Sequence, residues 1–451
     1  MATELRITGE VVRPSDPAYE QARRVWNGMI DRKPAVIARC KTAADVQAAL
    51  SYARENELKV AVRGGGHNVA GFGTCDDGIV IDLSPMKTVD VDPDKKIARA
   101  GGGVLWREFD AATQAHGLAT TGGLVSTTGV AGFTLGGGIG WLMRAHGLAC
   151  DNLIGAEVIT ADGRVLRVSE TEHADLLWGL RGGGGNFGIV TTFEFRLHPV
   201  GPIVMGGATF YPASSAGAVV RFFREFSESA ADQLSLFLAF TSAPPAPFIP
   251  QELHGTPVVA IAGCWIGSAE EGEQVLRRWQ AFGPPAAAHV GPIPYAVLQG
   301  LFDASAPAGR HNYWKSVDLP ELSDAAIDAI VVRAAERPSP LSEMHIHQMG
   351  GAVSRVPADA TAYAHRSARY VLNAISVWTE PSENDANVGW ARATHDAVLP
   401  FASGAYVNFL GEEGADRIRT AYGEKTYDRL HALKQKYDPN NVFRINQNIA
   451  P

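Results

Sequence analysis

The sequence predicts an α+β fold, and two contrasting textures predict it. Up to about residue 200, short apolar strands alternate with helices and meet in glycine-dense turns. Beyond that point glycine falls, proline and alanine rise, and long amphipathic helices alternate with strand-like runs. The second texture is that of helices laid over an antiparallel sheet. At 451 residues the chain also exceeds one ordinary core, so two domains or one elaborated domain are expected.

Thr42-Ala43-Ala44-Asp45 opens the first helix with an N-cap and an acid three residues on, and apolar positions continue at Val46, Leu50 and Ala53. A strand over 58–62 follows, then the loop Arg63-Gly64-Gly65-Gly66-His67-Asn68, then a strand over Ile79–Leu83. Apolar runs at 97–100, 156–160 and 165–168 read as further strands, the last two joined by a turn at Asp162-Gly163. In the second half, helices are expected over 215–229, 268–281 (a capping box of Ser268 and Glu271), 322–336 and 384–398. Strands are expected over 234–240, 257–265, 343–349 and 370–378. The last 50 or so residues hold a strand-like Gly404–Phe409, a helix near 423–436 and an Asn/Pro-rich tail.

Composition narrows the function. Hydrophobic residues make up 46% and charged residues 20%, as in a soluble globular protein. The net charge of −8, with no long basic run, argues against nucleic acid and favours small-molecule partners. No stretch of 18 apolar residues predicts a membrane span, and the start of the chain, Met1–Arg6, lacks the apolar core of a signal peptide. The cysteines Cys40, Cys75, Cys150 and Cys264 have no CxxC spacing and fit buried, reduced thiols in a cytoplasm. His345 and His347 point the same way at i, i+2, but no third ligand is in reach, so no metal is expected.

The 48 glycines cluster. Glycine reaches positive φ without a Cβ, so a loop such as Gly64–Gly66 lets backbone N–H groups approach a polyanion, and His67 would be a near-neutral nucleophile beside it. Taken alone, the hexapeptide is equally a turn with an incidental histidine. Further clusters lie at Gly101–Gly103, at Gly122-Gly123 continuing to Gly136–Gly140, and at Gly182–Gly185. The last contains a formal GxGxxG, but a helix-like Ala174–Leu180 precedes it and a strand follows. A nicotinamide fingerprint needs strand, then helix, so that reading is rejected. Several glycine loops spread over more than a hundred residues suit one long dinucleotide held by backbone.

Seven segments in order carry a resemblance. They are Arg-x-Gly-Gly-His at 63–67, Ile79–Ser84, Gly136–Trp141, Gly147–Asn152, Leu177–Gly188, Tyr406-x-Asn408 and Asp438-Pro439-Asn440-Asn441-Val442-Phe443-Arg444. Over essentially the whole chain the sequence resembles the berberine-bridge-enzyme-like branch of the vanillyl-alcohol-oxidase superfamily of FAD-linked oxidases. The resemblance implies a two-subdomain, PCMH-type FAD-binding domain over 1–200 (about 32–202). A substrate domain over 201–400 would follow, with its antiparallel sheet over the isoalloxazine, and 401–451 would return to the FAD-binding part. It implies FAD as cofactor, linked covalently through His67, with Arg63, Gly64, Gly65, Gly66, Asn68, Gly122, Thr127, Thr128, Gly129, Gly132, Gly138, Ile189, Val190, Tyr406, Asn408, Asn446 and Asn448 around it.

Departures from the family pattern qualify this. Where many plant members carry a second, cysteine link to the flavin, this chain has Val125 in Val125-Ser126-Thr127-Thr128-Gly129, so a single link is expected. Thr128 falls at a residue over the reactive flavin face and could hydrogen-bond a flavin–oxygen species. Phe133 replaces a frequent histidine, Cys150 is expected to be structural, and His365-Arg366 to hydrogen-bond structurally. Asn373 stands where plant members often place Glu or Gln, and Asn cannot act as a base. Tyr406 is then the leading candidate for the base, which needs a depressed pKa. His345, His347, Gln348, Tyr313 and Lys315 are further polar candidates on the roof strands. The resulting expectation is an oxidase passing hydride from an alcohol, amine or activated C–H carbon to the flavin, with O2 giving H2O2. Oxygenation or oxidative rearrangement, and a dehydrogenase with another acceptor, stay open; oligomeric state is not readable.

Overall fold

The computed structural model describes residues 4–451; the first residues of the N-terminal segment, read above as no signal peptide, lie outside them. Three sheets organise the chain. The first contains β1 (Glu10–Val12), β2 (Val36–Arg39), β3 (Val60–Arg63) and β4 (Ile79–Asp82) in the order β1-β2-β4-β3. β4 runs parallel to β2 and β3, and β1 pairs antiparallel at the edge. The helix Ala43–Glu55 connects β2 to β3, opening on a complete Thr42–Asp45 capping box. Parallel central strands are buried on both faces, which is why Ile79–Asp82 is buried throughout.

The second sheet is antiparallel: β5 (Val89–Asp92), β6 (Ile97–Gly101), β8 (Leu153–Ile159), β9 (Val165–Ser169) and β10 (Ile189–Arg196), in the order β5-β6-β10-β8-β9. A two-stranded pair joins β7 (Leu118–Ala119) to β11 (His198–Pro199). The helix Ala174–Leu180 precedes the glycine cluster 182–185 and β10 follows it, the order that excludes a dinucleotide turn there.

The third sheet has seven antiparallel strands. In chain order they are β12 (Ile203–Pro212), β13 (Leu234–Ser242), β14 (Pro257–Trp265), β15 (Ala287–Pro294), β16 (His311–Leu319), β17 (Glu343–Gln348) and β18 (Tyr370–Trp378), laid side by side as β15-β12-β14-β13-β17-β18-β16. One face packs on the amphipathic helices Ala216–Glu228, Ala269–Gln280, Asp324–Ala335 and Asn384–Val398, with Phe223, Trp279, Ile330 and Trp390 in the shared core. The other face looks towards the glycine loops. Near Ser268 the N-cap holds, with Glu271 N–H donating to Ser268 Oγ at 3.3 Å, but the Glu271 carboxylate takes the Ser268 hydroxyl rather than its backbone N–H.

Two expectations change. Gly404–Phe409 is not a strand: only Gly404 bridges, to Asp318, and Val407–Phe409 is a 3₁₀ turn. Its polar side chains turn inward instead, Tyr406 and Asn408 bonding to the backbone around Phe133 and Gly138. Conversely β12 was not legible, because Gly206-Gly207 interrupts its pattern. A Cβ on Gly207 would collide with the His289 carbonyl of the neighbouring strand, so close strand approach requires glycine there.

Beneath the roof, Asp110 is buried between the helix Trp106–Gln114 and the helix Tyr295–Gln299, with one oxygen bonded by Gln299 Nε2 at 3.0 Å and the other without a partner. Burial raises its pKa from the usual carboxylate range to about 7. The folded-state value is the higher one, so stability is full below pH 4, where both states are protonated. It falls as pH rises towards 7, because only the unfolded chain ionises freely. Asp110→Asn is therefore expected to stabilise the protein by a few kcal/mol at pH 8, since each tenfold change in proton affinity is worth about 1.4 kcal/mol. It should have no such effect at pH 4; denaturant midpoints at the two pH values test this.

Candidate active site

One deep cavity runs between the glycine loops and the seven-stranded sheet. Its floor is built from loop backbone. A Cβ on Gly65 would lie 2.5 Å from Gly129 N, so the 64–66 loop and the end of Val125–Gly129 stack directly on each other. Gly66 has φ +66°, the left-handed turn that delivers His67 to the wall.

His67 lies flat on Trp26, ring centroids 4.3 Å apart at 19°, and its Nε2 is buried without a hydrogen-bond partner. Burial lowers its pKa to about 4, against a weaker opposing pull from backbone hydrogen bonding and Asp303. The ring is therefore neutral at pH 7 and keeps a lone pair for bonding. Trp26 carries no local motif, and sequence reasoning missed it. Arg63 lines the cavity, but its guanidinium is spent on Asp82 in a buried ion pair of 2.7 Å. Asn68 Oδ1 caps its own loop by accepting from Phe72 N–H at 3.2 Å.

Most other predicted cofactor residues also line this cavity: Gly64, Gly65, Gly66, Asn68, Thr128, Gly129, Gly132, Ile189, Val190, Tyr406, Asn408 and Asn446. Four do not. Gly122 packs against Trp106 and Gln299, Gly138 donates its N–H to Tyr406, and Thr127 and Asn448 stand outside the lining. Val125, Phe133 and Ile139 line it as well.

The roof alternates with period two. Asn312 and Trp314 of β16, Glu343, His345 and His347 of β17, and Asn373, Ile375 and Val377 of β18 all face the cavity, with Phe237, Phe302 and Phe409 beside them. Lys315 corrects the expectation. It alternates to the other face of β16 with Tyr313, and its ammonium pairs with Glu413 at 2.6 Å, so it is not available to the site. Gln348 also leaves the site, bonding Ser227 and Leu236. Asn373 has both amide atoms buried and unpartnered. His347 Nε2 is buried without a partner, and burial holds the ring well below its ordinary pKa, hence neutral.

Tyr406 is corrected as a base. Its oxygen accepts from Gly138 N–H at 2.8 Å and Asn408 Nδ2 at 2.9 Å. Burial outweighs those two donors and pushes the phenol up, not down. At neutral pH the hydroxyl keeps its proton and can donate it to a third partner. Cys150 is buried and free, and Arg366 forms a buried two-pronged pair with Asp151 at 2.8 and 2.6 Å, so both are structural.

Residues 34–169 match the family of FAD binding domains, and residues 405–450 match the family described as berberine and berberine like. An FAD-linked oxidoreductase of Bacillus subtilis is 32% identical over 454 residues, covering 99% of this chain and 98% of its own. The chain belongs to the berberine-bridge-enzyme-like family of FAD-linked oxidoreductases. This berberine-bridge-enzyme-like protein is also similar to the (R)-6-hydroxynicotine oxidase of Paenarthrobacter nicotinovorans, 31% identical over 467 residues, with 100% of this chain and 98% of the other covered. The crystal structure of 6-hydroxy-D-nicotine oxidase from Arthrobacter nicotinovorans superposes with a TM-score of 0.90 at 29% identity, over the whole of both chains.

FAD is the cofactor of this oxidoreductase, and the cavity suits it: a glycine-loop floor, an orphaned neutral histidine and a roof rich in unpartnered polar atoms. No helix among the described residues is long and apolar enough to cross a membrane.

Proposed function

We propose that the protein is an FAD-dependent oxidase of small molecules, acting on an alcohol, an amine or an activated C–H carbon, with FAD tethered through His67 alone. When bound, FAD supplies the two-electron acceptor for the substrate, and O2 regenerates it with release of H2O2. The single observation that carries this reading is the buried, partnerless Nε2 of neutral His67 in the same cavity as the polar roof. Val125 at the position of the second family link leaves His67 as the one tether.

The chain's own share is binding, orientation and proton handling. Backbone of the 64–66 loop and of the helix Val130–Leu135 with its flanking Gly129 and Gly136 would seat the cofactor, Asn408 fixes Tyr406, and Tyr406 offers a hydrogen bond from its retained proton. The walls Trp314, Phe237 and Phe409 exclude water and strengthen polar contacts inside. The reading divides the chain near residue 200, with 401–451 returning to the flavin-binding part. It assigns a small molecule and O2 as partners, and the cytoplasm as the compartment, where four buried thiols stay reduced.

Oxygen uptake and H2O2 release with (R)-6-hydroxynicotine, 4-hydroxybenzyl alcohol, benzylamine and cellobiose test the reading. At least one probe is expected to give H2O2 in a one-to-one ratio to O2 consumed. Oxygen-18 in the product would favour oxygenation, with Thr128 at the cavity wall as its group; flavin bleaching without reoxidation in air would favour a dehydrogenase.

A further inference from the structure

With Tyr406 protonated, Lys315 turned away and Asn373 incapable of basicity, the proton released by an oxidised alcohol or amine needs another acceptor. β17 supplies one. His345 Nε2 lies 2.7 Å from Glu343 Oε2, and the other carboxylate oxygen of Glu343 accepts from Thr241 Oγ1 at 2.8 Å. Both residues line the cavity that holds His67. An ionised carboxylate only accepts hydrogen bonds, so Nε2 of His345 carries a proton, and in the neutral ring the lone pair is on Nδ1. Burial opposes ionisation of Glu343, but the bond and positive charge of a protonated His345, the bond from Thr241 and the charge of Arg337 outweigh it, so the carboxyl stays below its ordinary value and stabilises the imidazolium formed when His345 takes up a proton.

We propose that His345, oriented by Glu343, is the proton acceptor of the oxidation, and that the substrate is a compact, largely apolar alcohol or amine. The proposal rests on the oxidase reading above. The substrate's C–H bond breaks with its electron pair going to the bound cofactor. The O–H or N–H bond breaks with its proton going to His345 Nδ1, and a C=O or C=N bond forms. Carboxylate-held imidazoles perform this proton transfer elsewhere because the tautomer is fixed and the cation that forms is stabilised. His347 is a poorer acceptor, because no carboxylate holds it and burial disfavours its charged form. Beside the unpartnered His347 Nε2 and Asn373 amide, the walls Phe237, Trp314 and Ile375 are apolar, which suits a substrate with one or two polar groups better than a sugar with many hydroxyls. The ionisable groups facing His345 are Glu343 and His347 on its own strand and Arg337 beside Glu343; β13 and β18 present only uncharged Phe237, Thr241 and Asn373.

The test is anaerobic bleaching of the holoenzyme by the four probes above. His345→Asn should slow bleaching by about a hundredfold or more, with 4-hydroxybenzyl alcohol or benzylamine faster than cellobiose in the native protein. Glu343→Gln should move the pH inflection of bleaching downwards, because the imidazolium loses its counter-charge. Independently of turnover, ring-15N histidine spectra should show His345 protonated at Nε2 and bare at Nδ1, with that preference lost in Glu343→Gln. Bleaching of His345→Asn within about threefold of native, an Nδ1–H tautomer, or cellobiose as the best probe would overturn the proposal while leaving the oxidase reading intact. Failure of every probe to bleach the native flavin would overturn the oxidase reading, and the proton acceptor with it.

Discussion

Replacing His67 with alanine is expected to move the flavin from the acid-precipitated pellet to the supernatant. The native pellet should stay yellow, and a colourless native pellet would remove the tether. The variant should still fold, because Trp26 keeps its indole bond to the Ala306 carbonyl at 3.0 Å and the loop backbone is set by Gly66 rather than by the ring. A tethered ligand stabilises the fold whatever the concentration of free FAD, whereas a dissociable one stabilises it by mass action. The variant's melting temperature should therefore climb with added FAD. A free concentration a hundred times the dissociation constant restores about 2.7 kcal/mol. The native protein should show no such dependence in a thermal melt. Turnover at low free FAD should fall in proportion to cofactor lost and recover on addition.

The largest effect on stability is expected at Lys434. Its ammonium is fully buried, 2.7 Å from the equally buried Asp438 carboxylate, and also donates to the carbonyls of Asn186 (3.0 Å) and Phe443 (2.9 Å). Asp438 in turn accepts from the N–H groups of Val442 and Phe443. Lys434→Met leaves that carboxylate buried and uncompensated, which costs about 3–5 kcal/mol. A lower urea midpoint should be accompanied by a smaller fraction of molecules carrying tethered flavin, because Phe443, Ile445, Asn446 and Gln447 line the cavity in which the tether would form. An unchanged midpoint would show that the pair contributes nothing net.

This pair also explains what the terminal Asp-Pro-Asn-Asn-Val-Phe segment does. Its recurrence was legible as a pattern, but the reason, an ion pair that fastens the tail to the glycine loop at Asn186, depends on contacts across about 250 residues (Lys434 to Asn186 spans 248). The roof strands β13, β14 and β18 were legible as nine-residue, mostly apolar runs rich in β-branched and aromatic residues, and β17 as a shorter alternating run. The edge strand β15, rich in proline and alanine, was not, since edges tolerate residues that central strands reject. His67 stood out through the glycines beside it. Glu343 did not, although Glu-x-His-x-His places three polar groups on one face of β17, because period two marks a shared face without saying which face meets the cavity. Lys315 was misplaced for that same reason: one residue of register separates Trp314 in the cavity from Lys315 outside it.

The contributors to the cavity span Trp26 to Gln447. Asn186 is tied to the far end twice over, donating from Nδ2 to the Gln447 carbonyl at 3.2 Å and accepting at Oδ1 from Ile449 N–H at 3.0 Å. During synthesis on the ribosome the histidine loop emerges early, yet its enclosing wall is completed only when the final helix and tail have left the exit tunnel. Cofactor capture is therefore a late event in the life of each new molecule, and stalled or clipped chains lacking residues 438–449 should accumulate colourless, with the glycine loop at Asn186 open to proteases.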